Sequence, residues 1–170
     1  MKLIIPMLDY EKSYFQAVEE GKDETGITRI ESPKSSQSFQ EFVNWKINQS
    51  KGLDLPEGYV ANTELWLIDK DEFIGFVNIR HSLTKHLLKV GGHIGYWIRP
   101  TKRHLGYGKE ILRLSLIQIQ KLRIKKALVT CDDTNSASRK IIESNGGILE
   151  NIIENGSENP KKRRYWINIK

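Results

Sequence analysis

The sequence lacks the features that mark several classes of protein. Its 170 residues contain a single cysteine, Cys131, so an internal disulfide is excluded and a reducing compartment, the cytoplasm, is expected. No apolar run approaches the roughly 18–20 residues that span a bilayer. The short apolar patch near the amino terminus is interrupted at Pro6 and Asp9, and it lacks the cleavage site of a secretory signal. These absences predict a soluble, cytoplasmic protein without a membrane partner.

Metal-site spacing, internal repeats and linkers are also missing. The four histidines do not combine with cysteines or carboxylates in the spacing of a metal site, so we predict no metal. No low-complexity segment divides the chain, and we expect one domain over residues 1–170. The hydrophobic share of 38% is typical of a globular protein with a core of its own. The histidines are His81, His86, His93 and His104.

The charge balance is positive, with a formal net charge of +6, which suggests an anionic partner. Near the carboxyl terminus the run PKKRRYWINIK combines basic and aromatic residues, which raises nucleic-acid binding as one hypothesis. Basic runs are more often solvated faces, however, and its Arg164-Tyr165-Trp166 segment suits a final strand. We therefore predict no nucleic-acid partner.

The hydrophobic pattern predicts a mixed α/β fold. Polar residues with Gly, Pro and Ser at 21–37 are interpreted as a loop, and Lys70-Asp71 as a turn between two strands. Strands are predicted at 2–6, 64–68, 73–79, 93–98, 126–131, 148–153 and 164–169, and helices at 10–20, 39–47, 106–122 and 135–145.

Two of these helices need a separate argument. Segment 106–122 has leucines that alternate as in a strand, but its length and its glycine-led start favour a helix. The helix at 135–145 has Asp133 or Asn135 as its cap, and Gly146 lies where a left-handed stop is expected.

The segment GYWIRPTKRHLGYGKEIL, residues 95–112, changes from strand to helix at a basic turn with two glycines. The first N–H groups of a helix have no internal partners, and the helix dipole adds positive charge there. Glycines let the backbone approach a phosphate. The turn lacks the Gly-Lys-Ser/Thr ending of a nucleotide triphosphate loop and the third glycine of a dinucleotide fold. By itself it predicts either an anion site or a glycine turn with solvated charges.

Two motifs resemble the GCN5-related N-acetyltransferases (GNAT), an acyl-CoA-dependent family. The family signature Arg/Gln-x-x-Gly-x-Gly/Ala matches Arg103, Gly106 and Gly108 between a predicted strand and a predicted helix. About thirty residues later, LVTCDDTNSASRKIIESNGG resembles the fifth strand, an Asn-x-x-Ser motif and a glycine at the helix end. HIGYWIRP is similar to the fourth strand, especially in the ribosomal-protein-acetylating branch. The closest likeness is to an uncharacterised branch of predicted acetyltransferases, and it covers the chain well from Glu64 onward.

The resemblance implies a GNAT fold, α/β with a mixed, mostly antiparallel sheet of six to seven strands, about four helices and a splayed fourth and fifth strand. It implies acetyl-CoA as co-substrate, with its pyrophosphate on the N–H groups of the turn and its pantetheine arm between the splayed strands. A plain helix cap remains an alternative role for Asn135. The cofactor-binding residues implied are Ile98, Arg99, Arg103, His104, Leu105, Gly106, Tyr107, Gly108, Lys109, Asn135 and Ser138.

The activity implied is transfer of an acetyl group to a primary amine by direct attack on the thioester. An alkyl amine with a pKa of about 10.4 must first lose a proton. Many relatives carry a glutamate at the position of His93. The histidine could act as the base, or it could only pack at the strand start. The resemblance places the oxyanion on a fourth-strand N–H, at Ile98. Ile142 stands at the position of the family's usual tyrosine acid. Tyr107 and Tyr165 are candidate substitutes, and a thiol of pKa about 8.5 is also a tolerable leaving group without an acid.

Several points stay open at this level. The acceptor is a small-molecule or peptide amine of unknown identity, and a homodimer is an option because the family often dimerises. Cys131 is interpreted as a small core residue. A non-catalytic acyl-CoA sensor, which keeps the cofactor site but lacks a working base, is the alternative function.

Overall fold

The computed structural model describes residues 1–22 and 30–169. The predicted loop at 21–37 therefore lies partly outside the described residues. A 3₁₀ turn precedes α1 at Leu8–Tyr10, another follows β4 at Pro100–Lys102, and a π-helical turn lies at Leu87–Gly91. The strands are β1 Lys2–Ile4, β2 Asn62–Asp69, β3 Glu72–Arg80, β4 Ile94–Ile98, β5 Lys126–Asp132, β6 Ile148–Ile153 and β7 Lys162–Asn168, and the helices are α1 Glu11–Glu20, α2 Phe39–Gln49, α3 Tyr107–Lys121 and α4 Ser136–Ser144.

The strands form one seven-stranded sheet in the order β1-β2-β3-β4-β5-β7-β6. Neighbouring strands are antiparallel except β4 and β5, which run parallel. Lys70 and Asp71 connect β2 to β3 with φ values of +47° and +60°, the conformation of a tight hairpin turn. The predicted mixed, mostly antiparallel sheet is confirmed.

Helices cover both faces of this sheet and create two cores. On one face α1 and α2 enclose an aromatic cluster in which the ring of Tyr14 stacks on Trp66 with centroids 4.8 Å apart. On the other face α3 and α4 pack on aliphatic residues of the central strands. The prediction of a helix at 106–122 is confirmed, because α3 buries residues at helical spacing. Its buried residues are Ile111, Leu112, Ser115 and Ile119.

A buried ion pair ties α2 to the sheet under the aromatic cluster. Lys46 and Glu64 are each only 5% exposed, and Lys46 Nζ lies 2.6 Å from Glu64 Oε2. Trp66 Nε1 donates to the other oxygen of Glu64 at 3.0 Å. All oxygens of this carboxylate therefore have partners, as a buried charge requires.

Two further findings concern the described residues only. None of the helices in residues 1–22 and 30–169 is long and apolar enough to cross a bilayer. No three side chains of His, Cys, Asp or Glu in the same ranges come together as ligands for a metal ion. Cys131 is buried in the aliphatic core, as predicted.

Candidate active site

The site begins where β4 and β5 separate. Their only paired residues within the described chain are Ile94 and Val129, near the start of β4. The backbone at Gly92 approaches β5 so closely that a Cβ atom there would lie 2.6 Å from the carbonyl oxygen of Leu128. From this point the strands diverge toward their carboxyl ends. The predicted splay of the fourth and fifth strands is therefore present.

The register of β4 decides which backbone groups face this gap. Arg99 N donates to Ile74 O at 3.0 Å, so odd-numbered residues of β4 are directed toward β3. In an antiparallel pair the direction alternates along the strand, which turns the N–H groups of Tyr96 and Ile98 toward the gap. Ile98 was predicted from the sequence, whereas Tyr96 was not. The two-residue period of the strand was the signal that could have revealed it.

At the open end of the gap, the turn before α3 exposes backbone donors. His104 and Gly106 have φ values of +61° and +86°, and Gly106 is the N-cap of α3 without a side-chain cap. Lys109 N and Glu110 N both donate to Gly106 O, so the N–H groups of Tyr107 and Gly108 have no acceptor within the helix. The turn therefore exposes backbone donors of the kind that suit an anion.

The two predicted arginines have different positions. Arg103 is exposed beside the turn, and its Nε donates to Ile98 O at 3.1 Å. Arg99 is 3% exposed and points the other way, where its guanidinium pairs with Glu20 of α1 and with Glu72 at the start of β3. The backbone N–H of Arg99 already donates to Ile74 O, and its carbonyl oxygen already accepts from Lys102 N at 2.9 Å. A bound arm that contacts the Arg99 backbone would have to share that carbonyl oxygen.

The other predicted side chains at the turn surround its donors without entering the core. His104, Leu105 and Lys109 are exposed. A Cβ atom at Gly108 would lie 2.6 Å from Cδ1 of Ile141, so the second glycine lets α3 pack closely against α4.

His93 lies at the closed end of the gap and is 9% exposed. The imidazole Nδ1 of His93 accepts a hydrogen bond from Leu128 N at 2.9 Å, and the backbone N–H of His93 donates to Leu128 O at 2.7 Å. Because Nδ1 is an acceptor, the ring proton of the neutral imidazole resides on Nε2. Burial, together with the nearby positive charge of Arg80, lowers the pKa of His93 below its usual value.

Three side chains lie close together at the gap, and they are here called the gap cluster: Tyr96, Ser138 and Cys131. The hydroxyl of Tyr96 on β4 lies 2.9 Å from Oγ of Ser138 in the first turn of α4. Burial raises the pKa of the Cys131 thiol on β5, and the nearby Ser138 acts against this shift. Asn135 begins α4 and accepts from Ser138 N at 2.9 Å, so it is a helix cap. The cluster therefore includes one residue from each splayed strand, and Tyr96 is hydrogen-bonded to α4.

The positions considered for a leaving-group acid point elsewhere. Ile142 is fully buried in the aliphatic core. The hydroxyl of Tyr107 donates to Asp69 at 2.8 Å, and that of Tyr165 donates to Glu143 at 3.1 Å. Neither phenol belongs to the gap cluster.

The two acidic residues after β5 are also engaged. Lys162 pairs with Asp132, and Arg163 Nε lies 2.6 Å from Asp133. These ion pairs explain both carboxylates as links between β5 and β7.

The comparison with family models found one match of this chain. A model described as an acetyltransferase (GNAT) domain matches residues 9–148, which is most of the chain and includes the gap and the turn. No significant match was found among curated proteins.

Solved structures with the same fold are acetyltransferases of low sequence identity. The microcin C7 self-immunity acetyltransferase MccE, solved with acetyl-CoA and AMP, has a TM-score of 0.69 and 16% identity over 98% of this chain and 91% of its own. The ribosomal L7/L12 alpha-N-protein acetyltransferase RimL, solved with coenzyme A, has a TM-score of 0.67 and 17% identity over 98% and 93%. A spermidine N-acetyltransferase from Vibrio cholerae has a TM-score of 0.64 and 14% identity over 99% of this chain and 95% of its own.

Proposed function

The chain belongs to the GNAT acetyltransferase family, and from this premise we propose that it transfers an acetyl group from acetyl-CoA to a primary amine. The amine would attack the thioester directly. The observation that carries the proposal is the position of two sets of backbone donors at one opening of the sheet. Tyr96 and Ile98 turn N–H groups into the gap, and the turn at Gly106 exposes further donors where that gap opens.

These donors match the two anionic or polar parts of acetyl-CoA. The start of α3 suits the pyrophosphate, because free N–H groups and the helix dipole favour negative charge. The gap suits the pantetheine arm, whose amides would supply the pairing that β4 and β5 do not make with each other. MccE and RimL were solved with acetyl-CoA or coenzyme A, which supports the same choice of co-substrate.

The carbonyl oxygen of the thioester would be bound by a donor on β4. A preorganised N–H group stabilises the negative charge that develops on this oxygen during attack, which is a large contribution to catalysis. Ile98 is the proposed donor from the sequence, and the register of β4 makes Tyr96 N an equal candidate.

The base that deprotonates the amine is a separate proposal. His93 remains the candidate, but its Nδ1 already accepts from Leu128 N, and its Nε2 carries the proton in this tautomer. His93 could act as base only after its hydrogen bond with Leu128 N is broken, because Nδ1 is the nitrogen that would accept the proton. A water molecule next to the amine would serve equally well.

The occupied imidazole also supports the second candidate function, a non-catalytic acyl-CoA sensor. Binding would then persist without turnover for any amine. If the chain is catalytic, we propose a small-molecule or peptide amine as acceptor, because relatives of the same fold are named for a ribosomal protein and for spermidine.

Thermal unfolding with and without acetyl-CoA tests the proposal. A ligand at 100 times its Kd stabilises by about 2.7 kcal/mol, a midpoint shift of about 5–10 °C for a domain of this size. Dephospho-coenzyme A and ATP serve as controls. A shift specific to acetyl-CoA would support the site and justify a panel of amines, whereas no shift at millimolar ligand would refute it.

A further inference from the structure

The gap cluster lies where the reacting end of a bound arm would stop. Tyr96 and Cys131 each follow the paired residues Ile94 and Val129 by two positions, so they are at the same level on opposite sides of the gap. On the other side of that pair the backbone of Gly92 and His93 packs against Leu128 and closes the gap. An arm that enters from the turn at Gly106 would therefore bring its sulfur end toward the level of Tyr96.

The geometry of the cluster lets the phenol keep a proton to donate. The hydroxyls of Tyr96 and Ser138 lie 2.9 Å apart, and either can be the donor. When Ser138 donates to Tyr96, the phenolic O–H is left to donate to a further partner. An apolar residue occupies the family's usual acid position, at Ile142.

Resting on the proposed function, we propose that Tyr96 is a catalytic residue that donates a hydrogen bond to the sulfur leaving the acetyl group. In this step the amine nitrogen forms a bond to the acetyl carbon. The bond between that carbon and sulfur breaks, and its electron pair goes to sulfur. The proton lost by the amine passes to a base or to water. Tyr96 keeps its own proton and stabilises the thiolate.

The proton stays on Tyr96 because the phenol is the weaker acid. Burial raises the pKa of Tyr96 to about 12, well above the value of about 8.5 for a thiol. Tyr96 is therefore a donor throughout the neutral and mildly alkaline range. Ser138 is a positioning residue, since it holds the phenol oxygen toward α4.

The test compares the binding of coenzyme A with that of desulfo-coenzyme A, which lacks the sulfur, at pH 7 and pH 9.5 by isothermal titration calorimetry. Stabilisation of the thiolate tightens only coenzyme A as its thiol ionises. A hydrogen bond to a charged acceptor predicts a change of about tenfold in the ratio of the two Kd values. In Tyr96→Phe the ratio should stay constant between the two pH values, while kcat falls about 10- to 100-fold.

Two further variants keep the test decisive. Ser138→Ala retains the phenol and should give a ratio between those of the wild type and Tyr96→Phe. Tyr165→Phe removes a core phenol that is bonded to Glu143 and should behave as the wild type. It also controls for any general loss of stability on removing a buried hydroxyl.

The outcomes separate this proposal from the proposed function. A ratio that does not change with pH in the wild type, or that changes equally in Tyr96→Phe, would overturn the role of Tyr96 while desulfo-coenzyme A still binds. Failure of both ligands to bind the wild type would overturn the acyl-CoA site and Tyr96 with it.

Discussion

His93 is joined to Leu128 by two hydrogen bonds, one through its imidazole Nδ1 and one through its backbone N–H. The side chain thereby links the start of β4 to the middle of β5, at the closed end of the gap. This relationship gives His93 a structural role that can be measured separately from any role as base.

Replacing His93 should distinguish the two roles. His93→Asn keeps an acceptor near the position of Nδ1 but cannot be protonated, whereas His93→Ala leaves Leu128 N without its partner. We expect His93→Ala to lower the free energy of unfolding by about 1–3 kcal/mol in urea, and His93→Asn to lose less. If His93 is the base, both variants lose turnover and one step of the pH–rate profile. An unchanged profile in His93→Asn would exclude the base role.

The pH dependence of stability offers a second measurement on this residue. The folded protein holds His93 neutral with a lowered pKa, so the unfolded chain binds more protons just below pH 6.5. Stability therefore rises with pH up to about 6.5 and falls on acidification below it. In His93→Asn the share of this slope that comes from His93 should disappear, while His81, whose pKa burial also lowers, keeps its own share. His86→Gln, which changes an exposed histidine, should retain the slope of the wild type.

Gly106 is predicted to combine a backbone requirement with a binding requirement. Its φ of +86° disfavours a side chain, but a Cβ atom there would meet no other atom within 4 Å. Gly106→Ala should cost about 1–2 kcal/mol of stability, and Gly106→Asn less, because Asn tolerates the left-handed region.

Both Gly106 variants should weaken acetyl-CoA in calorimetric titrations, since either side chain fills the space that a phosphate needs. Unchanged affinity in both would mean that the pyrophosphate does not lie on this turn.

The buried pair of Lys46 and Glu64 should dominate the stability of the α2 face. Glu64→Leu leaves the Lys46 ammonium in the core without its buried partner and should cost about 3–5 kcal/mol in urea unfolding. The double variant Lys46→Met/Glu64→Leu should recover most of this loss. Glu31→Gln, which removes only the exposed partner of Lys46, should change stability by at most about 1 kcal/mol. Additive losses in the double variant would contradict the pairing.

Arg99 and Arg103 should show opposite effects. Arg99→Ala removes the buried link between Glu20 and Glu72, so it should lower the melting temperature by several degrees. Arg103→Ala changes an exposed side chain and should leave the melting temperature nearly unchanged while acetyl-CoA binds more weakly, an effect that added salt reduces. Equal effects of the two variants on both measurements would refute this division.

The sequence was sufficient for the fold because its signals were local and mutually consistent. The Lys70-Asp71 turn, the helix stop at Gly146 with φ of +84° and the Asn135 cap of α4 are at the predicted places. The alternating leucines of α3 are typical of a strand, but the segment is a helix that buries Ile111 and Ile119, two turns apart, against the sheet. The π-helical turn at Leu87–Gly91 had no signal of this kind and was missed.

The site was predictable only as far as backbone conformation follows from residue type. The glycines of the turn forecast its exposed donors. The direction of the Arg99 side chain was not predictable, because it depends on Glu20, 79 positions earlier in the sequence. The Tyr96–Ser138 contact spans 42 positions and likewise required the folded sheet.

In the part of the chain that the structure describes, β4 and β5 are paired at one position, which divides the sheet into two ribbons, β1 to β4 and β5 to β7, that share one rung. Each ribbon is continuous and antiparallel, so most of its backbone hydrogen bonds lie within the ribbon and not across the junction. A pantetheine arm in the gap would add the missing rungs. On the proposed function, binding of the co-substrate would slow amide exchange on both sides of the junction together, and the small molecule would act as part of the sheet.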